Sequence, residues 1–228
     1  MALSPLQAAS GAARVLLLGD SLAQGLGPPL ARLADAGGAT VLDVRPAATF
    51  AAGHVEGALN VPVGGSSFAT RASFLLGANE RVALHASSAE EAEDAARGLR
   101  AVGFLDLEGV LDEPETPARL EPVALDELDA LLAGGDVRVI DVREAEERDR
   151  SYIAGSLHIP YRLMRAGGAE LCNGGGPVVT ICETGSRAGI AASVLAAAGI
   201  DARAVLDGGV PSWRERGGKT ISFRRCGS

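Results

Sequence analysis

Two stretches of this chain are copies of one another. Residues 41–62 read VLDVRPAATFAAGHVEGALNVP, and residues 139–160 read VIDVREAEERDRSYIAGSLHIP. Asp43 aligns with Asp141, Arg45 with Arg143, Gly57 with Gly155 and Pro62 with Pro160, at a constant offset of 98. The copying continues downstream. Residues 80–104, ERVALHASSAEEAEDAARGLRAVGF, parallel residues 177–200, PVVTICETGSRAGIAASVLAAAGI, and LEGV at 107–110 parallels LDGG at 206–209. A repeat of this spacing in 228 residues restricts the architecture to two successive units of one small fold. LDEPETPARLEP at 111–122, with three prolines and four acidic residues, reads as the connection between them. The expected division is an N-terminal unit at 1–112, a linker at 113–122, a C-terminal unit at 123–222 and a tail at 223–228.

Periodicity sets the fold class. In the second copy VALDELDALLAGG reads as a helix, VRVIDVR as a buried strand and EAEERDR as a polar helix. VVTIC is another buried strand, RAGIAASVLAAAG a helix stopped by Gly199, and DARAVLDGG a further strand. Apolar strands alternating with helices predict an α/β fold, each copy a mostly parallel sheet flanked by helices. Sites in such folds form where a strand ends and a helix begins.

Composition removes several classes of function. Net charge is −8 with a pI near 5.0, and no Lys/Arg-rich run occurs, so neither nucleic acid nor an anionic membrane is an expected partner. Aromatic residues make up 4% of the chain, which argues against recognition by stacking. The opening MALSPLQAASGAAR carries no signal-peptide pattern, and the apolar runs are too short to span a bilayer. The cysteines are Cys172, Cys182 and Cys226. An odd, sparse set fits a reducing cytoplasm. There is no CxxC, and His54, His85 and His158 lack zinc-ligand spacing, so neither a metal nor a cofactor is expected.

The chemistry concentrates in VVTICETGSRAG, residues 178–189. Cys182 ends a buried strand and precedes a helix that starts near Arg187. A loop wrapping back there would aim the amides of residues 183–187 at the sulfur, with the helix N-terminus adding about half a positive charge. That environment lowers a thiol pKa and holds a thiolate or persulfide anion. In this loop Gly185 permits a close backbone approach, Thr184 and Ser186 offer hydroxyls, and Arg187 orients the loop or meets an anionic substrate. Glu183 beside the cysteine opposes a dianion.

CETGSR after a strand, a DVR segment followed by GHVEGALNVP, and a late LDGGVPSW together resemble the rhodanese family. The resemblance runs from about residue 25 to 216, twice over. It implies two tandem rhodanese-like domains and a sulfurtransferase. Cys182 would carry sulfane sulfur as a persulfide, taken from thiosulfate or a thiol persulfide and passed to cyanide, glutathione or a protein thiol. An alternative is a persulfide carrier or regulatory module. A cysteine phosphatase ranks lower, because those related enzymes place five residues between cysteine and arginine whereas Cys182 and Arg187 are separated by four. The segment GHVEGALNVPVGGSSFATRASFLL is similar to the first of paired copies found behind persulfide dioxygenases, which implies such a dioxygenase as a partner.

The first copy departs from the pattern. His85, in LHASSAEE, aligns with Cys182; no arginine closes the loop, and Glu90 and Glu91 would repel an anionic sulfur species. The first copy therefore reads as a non-catalytic scaffold, and His85 as structural for want of an acid or nucleophile beside it. In the second copy Tyr152 stands where His54 stands in the first, a change read as a packing adjustment. Asp141 and Arg143 read as a structural pair bracing loops. Cys172 reads as a semi-exposed thiol and Cys226 as a tail thiol beside Arg224 and Arg225. Trp213 reads as packing the last helix onto the core. VLLLGDSLAQGL at 15–26 resembles the first block of GDSL hydrolases, but no Asp-x-x-His partner exists, so Asp20 or Ser21 reads as a helix cap.

Overall fold

The computed structural model describes residues 30–65, 67–135, 137–172 and 176–223. The GDSL-like segment and Cys226 with its two arginines lie outside these residues.

The first unit runs β1 (Arg32–Leu33), β2 (Thr40–Asp43), α1 (Ala47–Ala52), β3 (Leu59–Asn60), α2 (Phe68–Leu75), β4 (Val82–His85), α3 (Ala89–Ala101) and β5 (Leu107–Leu111). Its strands form one parallel sheet in the order β1-β5-β4-β2-β3. The second unit runs α4 (Leu125–Gly134), β6 (Arg138–Asp141), α5 (Ala145–Arg150), β7 (Tyr152–Ile153), β8 (Leu157–His158), two tight helical turns over 161–168, α6 (Ala169–Leu171), β9 (Val178–Ile181), α7 (Ser186–Ala197), β10 (Ala202–Ala204), α8 (Val210–Glu215) and β11 (Thr220–Ile221). Here the parallel order is β10-β9-β6-β8, with β11 and β7 as a separate antiparallel pair. The expected α/β class and the duplication are both present.

The two corresponding helices after the central strands differ in kind. In α3, Ala92, Ala95, Ala96 and Leu99 are buried at helical spacing while Glu90, Glu93 and Asp94 face water. That is a one-sided surface helix. In α7 every residue from Ala188 to Leu195 is buried. Its small apolar residues let it lie between its own sheet and strand β3 of the first unit. A helix apolar all round is a buried one. The main core accordingly crosses both units, joining Leu42, Phe50 and Leu84 to Ile140, Ile190 and Leu195. Each large side chain buried this way contributes roughly 1.5–3 kcal/mol. A second core lies on the other side of the second sheet, around Leu125, Val139, Ile153 and Trp213. Trp213 is buried there, as expected.

Polar contacts fasten the units together. The Asn60 amide donates to Ser193 Oγ at 2.9 Å. Arg165 donates to Glu80 at 2.5 and 2.7 Å and to the Leu75 carbonyl at 2.5 Å. Burial would raise the Glu80 carboxyl, but Arg165, Thr40 and the Gly77 amide together bring it down to about 2. The connection is itself tied down. Ala118 and His54 exchange backbone hydrogen bonds of 2.9 and 3.2 Å, and Val123 N–H donates to the Ala204 carbonyl at 2.9 Å.

Candidate functional site

Asp141 and Arg143 form a buried ion pair at the end of β6. Arg143 donates to both carboxylate oxygens of Asp141 at 2.9 and 2.7 Å, then reaches the Ser151 carbonyl at 2.6 Å. Arg45 treats Asp43 and the Gly53 carbonyl the same way in the first unit, at 3.0, 2.6 and 2.8 Å. Each pair is buried and pins the loop that follows its strand, as the sequence suggested. The exchanged residues pack differently. His54 is buried, stacks on Phe50 with ring centroids 3.7 Å apart, and its Nδ1 meets the Phe50 carbonyl at 2.9 Å. Burial pushes its pKa down, against a smaller opposing effect of that carbonyl. Tyr152 instead lies under the Arg148 guanidinium, 4.1 Å from the ring centre.

Cys182 follows β9 directly and is 1% exposed. The Gly185 amide donates to its Sγ at 3.1 Å. Gly185 stands at the N-terminus of α7 with φ at +93°, and no side chain among the described residues caps that helix. Two close approaches hold the loop in this shape. A Cβ on Gly185 would sit 2.2 Å from the Leu206 carbonyl oxygen, and one on Gly209 would sit 2.2 Å from the Cys182 carbonyl oxygen. The LDGG segment therefore presses against the back of CETGSR, with Val210 N–H donating to the Cys182 carbonyl at 2.9 Å. The two motifs occur together because each needs glycine where the other's backbone passes.

Arg187 is not free to meet a substrate with its full fork. Its guanidinium makes a two-point pair with Glu147, at 2.6 Å for each bond, and a longer contact of 3.5 Å with Glu183. The Arg187 hydrogen bonds draw the Glu147 carboxyl down from 4.5 to about 2, more than offsetting its burial. Glu147 also accepts from the Glu144 amide at 3.2 Å, as half of the capping box that begins α5. Of the two roles expected for Arg187, orienting the loop is the one for which the structure supplies a partner, Glu147. Glu183 and Thr184 are exposed on the loop surface, while Ser186 is half-buried.

Ser186 leads to a residue that sequence reasoning missed. Arg71, on α2 of the first unit, donates to Ser186 Oγ at 2.7 Å. With Ser67, Thr70, Tyr161, Glu144 and the 183–187 loop it lines a recess of about 400 Å3. A second recess of about 740 Å3 borders the same loop at Thr184, Gly185 and Ser186. Its far wall carries Ser88, Glu90, Glu91 and Asp94 of the first unit. Arg71 has no counterpart in the repeat, because the offset of 98 lands on Ala169. Glu147 was missed as well, and the signal for it is the E-x-x-E spacing from Glu144, a variant of the capping-box pattern.

The strand register corrects the pairing of His85 with Cys182. Asp43 lies opposite His85 in β2 and β4, and Asp141 lies opposite Ile181 in β6 and β9. Val44 N–H donates to the His85 carbonyl as Val142 N–H donates to that of Ile181, each at 2.9 Å. The counterpart of His85 is thus Ile181, and the counterpart of Cys182 is Ala86. Side chains alternate along a strand, so one step of slip reverses their direction. His85 also has an acid beside it, contrary to expectation. Its Nδ1 is 3.2 Å from Asp43 Oδ2. Burial raises the Asp43 carboxyl, but His85 and Arg45 outweigh it and hold it below the ordinary range.

Cys172 is buried, not semi-exposed, and its Sγ donates to the Gly168 carbonyl at 3.3 Å. Burial pushes its pKa up, partly countered by Arg138. A thiol held protonated is a poor resolving nucleophile.

Among the described residues no group of three or more His, Cys, Asp or Glu could hold a metal ion, and no helix is long and apolar enough to cross a membrane.

Comparison with known proteins matches the rhodanese-like domain twice, at residues 29–113 and 124–216. The chain belongs to the rhodanese family. Its two units are tandem rhodanese-like domains. Solved structures with similar folds include a rhodanese-related protein of Thermoplasma volcanium, 27% identical over 44% of this chain and 97% of that one, with a TM-score of 0.41. A human single-domain sulfurtransferase is 30% identical over 42% of this chain and 96% of its own, with a TM-score of 0.36. A thiosulfate sulfurtransferase of Pseudomonas aeruginosa is 22% identical over 81% of this chain and 40% of its own, with a TM-score of 0.40.

Proposed function

We propose that this rhodanese is a sulfurtransferase that works through a Cys182 persulfide. The observation that carries the reading is Cys182 Sγ under the uncapped N-terminus of α7, receiving the Gly185 amide at 3.1 Å. Helix amides without a side-chain partner, next to sulfur, favour a negative charge at that point. A thiolate and a persulfide anion both carry one there. Glu183, Thr184, Gly185 and Ser186 form the loop around the sulfur, and Arg187 holds the loop through Glu147.

With thiosulfate, the Cys182 thiolate attacks the outer sulfur. A Cys–S bond forms, the S–S bond of the donor breaks, and sulfite leaves with that bond's electron pair. With a thiol persulfide the leaving group is the thiolate. An acceptor such as cyanide then attacks the outer sulfur of the Cys182 persulfide, leaves as thiocyanate and restores the thiolate. The loop charge environment stabilises the anion in each half-reaction.

Cys182→Ser should abolish transfer from thiosulfate and from glutathione persulfide, measured as thiocyanate or acceptor persulfide formed. Full residual transfer would sink the reading. The burial of Cys182 favours a second reading, a persulfide carrier that loads but exchanges slowly, because a covered persulfide is protected from small acceptors. One sulfur gained on Cys182 by mass, without multiple turnover across a panel of acceptors, would select the carrier.

A further inference from the structure

Two approaches lead to the Cys182 loop, and they differ in charge. The wider one is walled by Glu90, Glu91 and Asp94. The narrower one holds Arg71, Arg187, Glu144 and Glu183. Within the narrower recess Arg187 is paired with Glu147 through both of its terminal nitrogens. Arg71 has no carboxylate within ion-pair distance among the described residues, and the bond it makes there is to the neutral Ser186 hydroxyl. Arg71 is therefore the cation of the recess whose charge is not already matched. Ser186 is the first residue of α7, so Arg71 stands at the same uncapped helix end as the cysteine loop.

We propose that Arg71, supplied by the first domain, receives the anionic group of the sulfur donor and makes that domain the specificity element of the second domain's site. The inference rests on the sulfurtransferase reading above. The donor class is a sulfane sulfur compound with a sulfonate or carboxylate on its leaving side, the former being thiosulfate and the latter a persulfide such as that of glutathione. An arginine fork suits both planar carboxylate and sulfonate oxygens. As the Cys182 sulfur forms its new bond, the electron pair of the broken S–S bond goes to the leaving sulfite or thiolate, and Arg71 faces that departing anion. The acidic wall opposite leaves the Arg71 side as the favourable entry for such donors. Arg71 acts as a substrate-positioning residue, while bond making belongs to Cys182.

The test is single-turnover loading of full-length protein, read as the gain of one sulfur on Cys182 by mass. The donors are thiosulfate, glutathione persulfide and 2-hydroxyethyl persulfide, the last carrying neither sulfonate nor carboxylate. Arg71→Gln keeps a donor for Ser186 but removes the charge, and Arg71→Lys restores the charge. Arg71→Gln should load about 10- to 100-fold less efficiently with thiosulfate, the worth of one charged hydrogen bond. The loss should fall mainly on KM, glutathione persulfide should show a smaller loss, and 2-hydroxyethyl persulfide should change less than about threefold on the same argument. Arg71→Lys should recover part of the thiosulfate rate. An equal fall for all three donors, or no fall for any, would overturn the assignment. Failure of the unmutated protein to load from any donor would overturn the sulfurtransferase reading first, and this inference with it.

Discussion

The two domains build the same strand-to-helix corner and fill it differently. In the first, β4 passes through Ala86 and Ser87 to Ser88, which caps α3 by accepting the Glu91 amide at 3.1 Å. Glu91 returns the contact by accepting the Ser87 amide at 2.8 Å. The helix end is closed by its own side chains, and Glu90 and Glu91 in the first turn already match its positive pole. In the second, β9 passes through Cys182, Glu183 and Thr184 to Gly185, and no acidic residue lies in the first turn of α7. The loop is one residue longer, and the helix pole is left to whatever charge gathers at the sulfur. The same fold thus serves once as a self-satisfied corner and once as an open one. The open corner stays in shape through a positive φ at Gly185 and an ion pair at Glu147, where the closed corner uses Ser88.

The largest break in that comparison comes from giving the open corner a side chain. Gly185→Ala puts a methyl group 2.2 Å from the Leu206 carbonyl oxygen, in a backbone region that disfavours Cβ. Backbone strain and overpacking together should cost about 2–4 kcal/mol in urea denaturation. Sulfur loading of Cys182 should fall below detection, because the Gly185 amide is displaced from Sγ. A variant that keeps both stability and loading would show that the glycine contact is not what shapes the loop.

Much of this was legible in the sequence, and the failures have physical causes. The repeat of DVR, and of the glycine and proline positions in GHVEGALNVP and SYIAGSLHIP, exposed both domains because buried parallel strands and loop-pinning pairs leave local patterns. Asp43 with Arg45 and Asp141 with Arg143 are two residues apart and read directly. CETGSR placed the loop, and LDGG stood out as a motif, but its position behind that loop comes from the backbone contacts. His85 was set against Cys182 because the two loops differ by one residue, and sequence alone allows the strands to slip by one step. Only hydrogen-bond register shows Ala86 in that place. Arg71 left no trace, since its partner is 115 residues away in sequence. The apolar character of RAGIAASVLAAAGI marks a helix, but nothing in that stretch names strand β3 of the first domain as the neighbour that covers its outer side.

The second prediction concerns the ion pair that replaces a cap. Glu147 titrates near 2 in the folded protein against an ordinary 4.5. A depressed carboxyl pKa gives stability that is complete above about 4.5 and lost as the pH falls toward about 2. Stability of the unmutated protein should therefore decline between these pH values more steeply than that of Glu147→Gln, which has no proton to take up. The difference should stay under about 1 kcal/mol, because the pair is only partly buried. Equal slopes in denaturant midpoints measured from about pH 5 to about pH 2.5, the window of that titration, would show that Arg187 does not depend on Glu147. Loading at neutral pH should fall modestly in this variant, by about twofold to fivefold, in line with a positioning contact of that size.

The smallest expected effect is the sharpest check on the comparison. If the first domain were silent only for lack of a thiol, Ala86→Cys in a Cys182→Ser background would restore sulfur loading. The corner predicts otherwise. A sulfur at position 86 would face amides already taken by Ser88 and Glu91, in a loop one residue too short to circle it, with Glu90 adding like charge. No sulfur should be gained on the introduced thiol from thiosulfate or glutathione persulfide. A further change of Glu90 and Glu91 to Gln would remove the repulsion while leaving the loop short, and loading should still be absent. Loading in that triple-changed corner would mean that charge silences the first domain, and loading in the simple Ala86→Cys variant would mean that the thiol alone distinguishes the two. Continued silence in both leaves loop length and the Ser88 cap as the difference, which is a property of the backbone and is not repaired by any single side chain.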